Sequence, residues 1–132
     1  MKSKQIFKLI LVVIFFALGS KVCFADFNWK FMGQLGNRDK FFIDLSSIQK
    51  DKQMRNYMRL RDYAVTDSHG ENSSIISIET NCDDLSTRFL RDVYFKGKMG
   101  KGEYVVFEEK GDWQKFKSGS IGELFAEFVC SH

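Results

Sequence analysis

Short stretches in which apolar and polar residues alternate follow one another from residue 27 to residue 108, and polar or glycine-containing turns separate them. A period of two is typical of β-strands that bury one face. We therefore predict about six strands, at residues 27–32, 40–45, 54–64, 74–82, 87–95 and 103–108. Because the segments between them have the composition of turns, the strands are expected to form one twisted antiparallel sheet.

The alternation also divides each strand into two faces. In strand 74–82, Ile76 and Ile78 share a side with Cys82, which is therefore predicted to point toward the core. In strand 54–64 the even-numbered side is apolar and is expected to face inward. The odd-numbered side, expected to be the outer face, carries arginine and tyrosine at five positions: Arg55, Tyr57, Arg59, Arg61 and Tyr63.

The period changes at the carboxyl end of the chain. Ile121, Leu124, Phe125 and Phe128 are spaced i, i+3, i+4 and i+7, which is the pattern of an amphipathic helix. Ser120, followed three residues later by a glutamate, fits a capping box at the start of that helix. One helix after a series of strands predicts an α+β fold in which the C-terminal helix packs on the inner face of the sheet.

The amino-terminal segment has the features of a secretory signal peptide. Three lysines precede an apolar run over residues 9–18, and the segment ends with small residues at Cys23 and Ala25. We predict cleavage between Ala25 and Asp26, which leaves residues 26–132 as one exported domain. The apolar run is shorter than the roughly 20 residues that a spanning helix needs. The alternative, a lipoprotein signal acylated at Cys23, is disfavoured because Lys21 lies in the approach to that cysteine.

Charge argues against nucleic acid as a partner. The whole chain has 20 basic and 17 acidic residues, but four lysines lie in the first 25 residues, so the predicted mature domain is close to neutral. Nucleic-acid binding depends on many Lys and Arg side chains that neutralise phosphates. A protein is therefore the expected partner.

Cleavage would also remove one of the three cysteines and leave Cys82 and Cys130 in an oxidising compartment. Two cysteines in an exported domain favour one disulfide bond, here between the sheet and the end of the helix. A metal site built on this pair would need about four ligands, and His69 and His132 are the only histidines. We therefore predict neither a metal nor a cofactor.

The predicted mature domain resembles the surface-adhesin protein E family of Gram-negative bacteria. The resemblance rests on short matches in a fixed order: Trp29, residues 42–44, Asp62-Tyr63, residues 79–82, Arg88, Trp113, residues 118–120 and Cys130. It implies an antiparallel sheet with a C-terminal helix tethered by a disulfide. It also implies an exported, non-enzymatic protein that binds host matrix or serum proteins at the cell surface, in the periplasm or after secretion.

Three segments contain residue types found in enzyme sites, but none predicts catalysis. The loop at 66–70 places acid, hydroxyl and imidazole side by side around His69, whereas triad members normally come from separate segments. Asp83-Asp84 is expected to be a turn at a strand end. Residues 98–102 contain glycine and lysine, but the sequence predicts no helix after them. A phosphate-binding loop requires such a helix. We predict no catalytic residue.

The strand face with Arg55, Tyr57, Arg59, Arg61 and Tyr63 is the candidate partner-binding surface, because Arg and Tyr are enriched where proteins bind one another. Alternatively, this face is a solvated surface that pairs with acids such as Glu79, or it forms a homodimer. A second functional hypothesis is a periplasmic inhibitor or immunity-type module that blocks a hydrolase such as lysozyme. It would act through a loop at 65–72 or 96–102.

Overall fold

The computed structural model describes residues 26–132, in which seven strands are followed by one α-helix. The strands are β1 (Trp29–Gln34), β2 (Lys40–Asp44), β3 (Gln49–Asp51), β4 (Met54–Asp62), β5 (Ser73–Asn81), β6 (Ser86–Phe95) and β7 (Tyr104–Phe107), and the helix is α1 (Ile121–Ser131). Short 3-10 turns lie at Leu45–Ser47 and Lys98–Gly100. The predicted signal peptide at 1–25 lies outside the described residues.

All strands pair antiparallel in one sheet, in the order β1-β2-β4-β5-β6-β7. Strand β4 has two partners on one side, because β2 pairs with its carboxyl half and the short β3 pairs with its amino half. The predicted α+β fold, with about six antiparallel strands and one C-terminal helix, is confirmed. The additional strand, β3, lies in the polar segment between the strands predicted at 40–45 and 54–64.

Helix α1 packs on the sheet through Phe125 and Val129, which are both almost completely buried. The Phe125 ring lies nearly parallel to that of Tyr57, with 6.3 Å between the centroids. Ser120 caps the helix, since its hydroxyl accepts a hydrogen bond from the amide of Glu123. A disulfide joins Cys82, just after β5, to Cys130 in the last turn of α1, as predicted.

The expected outward position of the arginine and tyrosine side of β4 is wrong. Tyr57 and Arg59 are only 3% and 8% exposed and lie on the side that α1 covers. The opposite side is also apolar, because Leu60 and Ile75 are buried there beneath the 3-10 turn at Lys98–Gly100. The alternation of residues separated the two sides of β4 correctly. Because both sides are covered, the alternation could not show which side meets the helix.

A β-bulge in β6 changes the second half of that strand. Arg91 pairs with Ser77 whereas Phe89 pairs with Ile78, so Leu90 is an extra residue. From this point the alternation is shifted, and Asp92 and Tyr94 come to the side of the sheet that carries α1. Phe89 therefore lies on the opposite side of the sheet from Val93 and Phe95, although strict alternation along β6 would place all three together.

Candidate binding groove

Helix α1 covers only part of its side of the sheet, and an open groove lies on the part formed by β6 and β7. The groove has a volume of about 710 Å³, and no residue of α1 lines it. Its floor consists of four side chains of the sheet: Phe89, Asp92, Tyr94 and Phe107. Its two walls are the loop residues Asp67, His69 and Glu71 and the segment 109–112. We call this region the open groove.

The floor is aromatic because of the β6 bulge and the pairing of β6 with β7. Phe107 pairs with Asp92 across the two strands, and its ring meets that of Tyr94 edge to face, with 5.7 Å between centroids. Phe107 is 55% exposed. Aromatic side chains that are held in place and half exposed provide apolar area for a partner at little cost in conformational entropy.

The wall at 109–112 follows β7 and runs beside β6. The amide of Gly111 donates a hydrogen bond to the carbonyl of Phe89 at 2.8 Å, and Thr87 and Gln114 exchange two backbone bonds just beyond it. Trp113 extends this edge, where it is 43% exposed and lies 4.6 Å from the Arg88 guanidinium. The backbone bonds hold Glu109 and Asp112 at the rim.

The opposite wall is the loop between β4 and β5, which the Asp67 carboxylate organises. Its Oδ1 atom accepts hydrogen bonds from the amides of His69 and Glu71, at 2.9 Å and 2.8 Å. The Lys96 ammonium donates a hydrogen bond to the carbonyl of His69 at 2.5 Å. The backbone carbonyl of Lys96 accepts a hydrogen bond from the side-chain amide of Asn72 at 2.7 Å. The loop is thus tied to the end of β6.

The open groove is acidic. Five carboxylates line it, from Asp67, Glu71, Asp92, Glu109 and Asp112, beside one lysine, Lys110. Burial raises the pKa of Asp92, although the nearby Arg59 guanidinium opposes that rise. Burial also raises the pKa of Glu71, and the adjacent Asp67 carboxyl raises it further. A ligand with positive charge and an apolar portion would complement these walls and floor.

Of the predicted partner-binding residues, Arg59 has the most unusual environment. Its guanidinium carbon lies 5.3 to 5.8 Å from the ring centroids of Phe41, Phe89 and Phe125. Its Nε atom has no hydrogen-bond partner among residues 26–132. Burial lowers the pKa of Arg59. Since Phe89 is also part of the floor, Arg59 supports the groove from within the core.

The other four predicted residues have separate roles in the structure. Tyr57 lies in the core, and Arg55 donates to two backbone carbonyls. Arg61 forms an ion pair with Asp39 at 2.6 Å. Arg61 and Tyr63 line a second cavity of about 400 Å³, which shares Asp67 with the open groove. The structure thus places these two beside the groove and buries Tyr57, Arg59 and Tyr63.

The remaining candidates from the sequence lie elsewhere. Asp84 accepts hydrogen bonds from the amide and hydroxyl of Ser86 in the turn before β6, as expected for Asp83-Asp84. The Lys98 ammonium donates to the carbonyl of Tyr63. Among residues 26–132, no helix is both long enough and apolar enough to cross a bilayer. The sequence did not single out Asp92, Tyr94 and Phe107, which form the groove floor together with Phe89.

The chain is similar to known proteins both in family and in fold. A family model described as surface-adhesin protein E matches residues 29–131. Two structures of Haemophilus influenzae protein E superpose with a TM-score of 0.60 at 15% identity, covering 76% of this chain and 87% and 85% of those chains. A third, from a non-typeable strain, gives 0.57 at 15% identity, covering 81% of this chain and 79% of that one. No curated protein matches the sequence significantly.

Proposed function

The chain belongs to the surface-adhesin protein E family, and on that premise we propose that it is an exported binding protein that holds a host matrix or serum protein in the open groove. The observation that supports this proposal most strongly is the half-exposed aromatic floor between two acidic walls. Such a surface suits a partner segment that presents Lys or Arg beside apolar side chains.

The aromatic floor would supply most of the affinity. Phe107 is 55% exposed and Tyr94 supports it from one side. Covering the exposed half of a phenyl ring contributes about 1 to 1.5 kcal/mol by removing apolar surface from water. Aromatic side chains at the centre of a contact surface are the residues that most often dominate binding energy.

The acidic walls would determine which partners approach and how they are oriented. Glu109 and Asp112 on one side, and Asp67 on the other, would attract a basic segment and repel an acidic one. Because charges at an exposed rim are screened by salt, association should slow as ionic strength rises.

The structure favours this surface over the loops on which the inhibitor hypothesis depends. The segments at 65–72 and 96–102 are bonded to each other through Lys96 and, by way of Lys98, to the end of β4. Because they brace one another, they are better suited to form a wall than to enter the active site of a hydrolase. A loop that inserts into an enzyme would need to project from the fold.

Two matched phenylalanines allow a direct test. Phe107 and Phe31 are 55% and 53% exposed, and each meets one aromatic ring edge to face, but they lie on opposite sides of the sheet. Parent, Phe107→Ala and Phe31→Ala domains would be passed over immobilised matrix and serum proteins. We expect Phe107→Ala to bind about tenfold more weakly, the equivalent of about 1.4 kcal/mol, and Phe31→Ala to bind like the parent.

A charge pair adds an independent arm to this test. Glu109 lies on the groove wall, whereas Glu127 is exposed on α1, away from the groove. Glu109→Gln should slow association at low salt, and Glu127→Gln should leave it unchanged. The proposal would be contradicted if Phe31→Ala lost binding while Phe107→Ala kept it. It would also be contradicted if the domain bound a bacterial hydrolase and no matrix or serum protein.

A further inference from the structure

We propose that Asp67, His69 and Glu71 form a binding site for a divalent transition-metal ion of the zinc type. One ligand atom from each of these side chains lies within 4.8 Å of those of the other two. The three residues alternate along the loop between β4 and β5. This site is distinct from the cysteine and histidine combination that the sequence led us to exclude.

The backbone of the loop brings the three side chains together. Asp67 forms a turn in which its amide donates to the carbonyl of Glu71 and its carbonyl accepts from the amide of Gly70. Gly70 has a positive φ of 79°, a conformation that residues with a side chain rarely adopt. These local hydrogen bonds bring residues 67, 69 and 71 together, and the bond from Lys96 to the His69 carbonyl ties the loop to the end of β6.

The donor atoms are available for a cation. The amides of His69 and Glu71 both bind one oxygen of the Asp67 carboxylate, Oδ1, and the neighbour of that carboxylate among the three side chains is the Glu71 carboxyl. The imidazole of His69 is exposed and makes no side-chain hydrogen bond with residues 26–132.

Glu71 provides the second and independent indication of a ligand. The residue is 9% exposed, and its carboxyl pairs with the carboxyl of Asp67, while no basic side chain forms a salt bridge with it among residues 26–132. Two carboxylates held against each other repel when both are ionised, and partial burial increases that cost. A divalent cation between the two carboxylates would remove this repulsion.

The ligand chemistry selects the class of metal. One imidazole nitrogen with two carboxylate oxygens suits Zn²⁺ and its neighbours in the first transition row, whereas Ca²⁺ and Mg²⁺ prefer sites made wholly of oxygen. Three protein ligands leave at least one coordination position for water. That position would face the open groove, since all three residues line it.

One nearby charge opposes the cation. The Lys96 ammonium donates a hydrogen bond to the carbonyl of His69, so its positive charge lies beside the three ligands. Its presence favours moderate affinity over the tight binding of a structural zinc site. The carboxylates of Asp92, Glu109 and Asp112 elsewhere in the groove offset it in part.

The test is titration of the purified mature domain with Zn²⁺ by calorimetry, together with proton NMR of its histidines. The only other histidine, His132, lies at the chain end and provides the control. We expect binding of one Zn²⁺ per chain and movement of the His69 imidazole signals while those of His132 stay in place. His69→Ala and Glu71→Gln should each weaken binding at least tenfold, and His132→Ala should not.

Glu71→Gln is suitable because the loop uses the backbone amide of residue 71, which this change retains. Equal Zn²⁺ affinity in the parent, His69→Ala and Glu71→Gln domains would overturn the proposal. Binding of Mg²⁺ or Ca²⁺ as tight as that of Zn²⁺ and independent of His69 would also overturn it. Loss of Zn²⁺ binding with unchanged partner binding would separate this site from the proposed function.

Discussion

Removal of the Cys82–Cys130 disulfide is expected to cost about 4 kcal/mol of stability. The bond closes a loop with a sequence separation of 48 residues. On the chain-entropy model a cross-link of this span restricts the unfolded chain by about 14 cal/mol/K, which is about 4 kcal/mol at 25 °C. For a domain of this size that is a large part of the total stability.

The location of the bond predicts which part of the fold responds first. Cys130 lies in α1, which is otherwise attached through its buried residues Gly122, Phe125, Ala126 and Val129. Without the bond, α1 should retain its contacts but open more often than the sheet does. Amide exchange in α1 should therefore rise more than exchange in β4 and β5.

The assay is urea unfolding of the parent and of a Cys82→Ser, Cys130→Ser double variant, followed by circular dichroism. The variant should unfold at lower urea and with a larger m-value, because its unfolded chain is less compact. Parent protein treated with reductant should match the variant, and reductant should not affect the variant. Unfolding free energies of oxidised parent and variant within about 1 kcal/mol of each other would refute this account.

Three further outcomes follow from particular residues. Gly122→Ala should destabilise the fold by about 1 to 3 kcal/mol and so lower its thermal midpoint, because a Cβ there would lie 2.4 Å from the Phe116 ring. An unchanged midpoint would be inconsistent with this packing. Asp92→Asn should be more stable than the parent at pH 7. Burial raises the pKa of Asp92 above its value in the unfolded chain, so the folded parent loses stability as the pH rises and this carboxyl ionises. Urea unfolding should show that the difference between the two proteins vanishes near pH 3, where the carboxyl is protonated in both states. Mass spectrometry of the exported protein should find an amino terminus at Asp26 and no lipid, and a diacylglycerol adduct on Cys23 would contradict the predicted signal peptide.

Much of the fold was predictable because it depends on local periodicity. The strands alternate every second residue, and the helix pattern from Ile121 to Phe128 lies within α1. The disulfide followed from the same patterns, since Cys82 lies just beyond a strand on its inner side and Cys130 lies in the helix.

The side of β4 that meets the helix was not predictable from alternation. Leu60 on one side and Tyr57 on the other are both buried, so the strand has no solvent face of the kind that the polar residues suggested. Arg59 is buried because three aromatic rings surround its guanidinium. Those rings come from β2, β6 and α1, and only the tertiary structure brings them together.

The open groove was hidden for a similar reason. Its floor depends on the extra residue Leu90, which shifts the second half of β6, and on the short reach of α1 across the sheet. Neither feature leaves a pattern in the sequence. The loop residues Asp67, His69 and Glu71 were visible as a polar turn, but their convergence depends on hydrogen bonds and on the positive φ of Gly70.

The most direct test of the central claim is hydrogen–deuterium exchange of the domain at residues 26–132, alone and with any matrix or serum protein found to bind it. The account predicts slower exchange at 65–72, in β6 and β7, and at 108–113, which together surround the open groove. Protection confined to β1 and β2, on the far edge of the sheet, would contradict it.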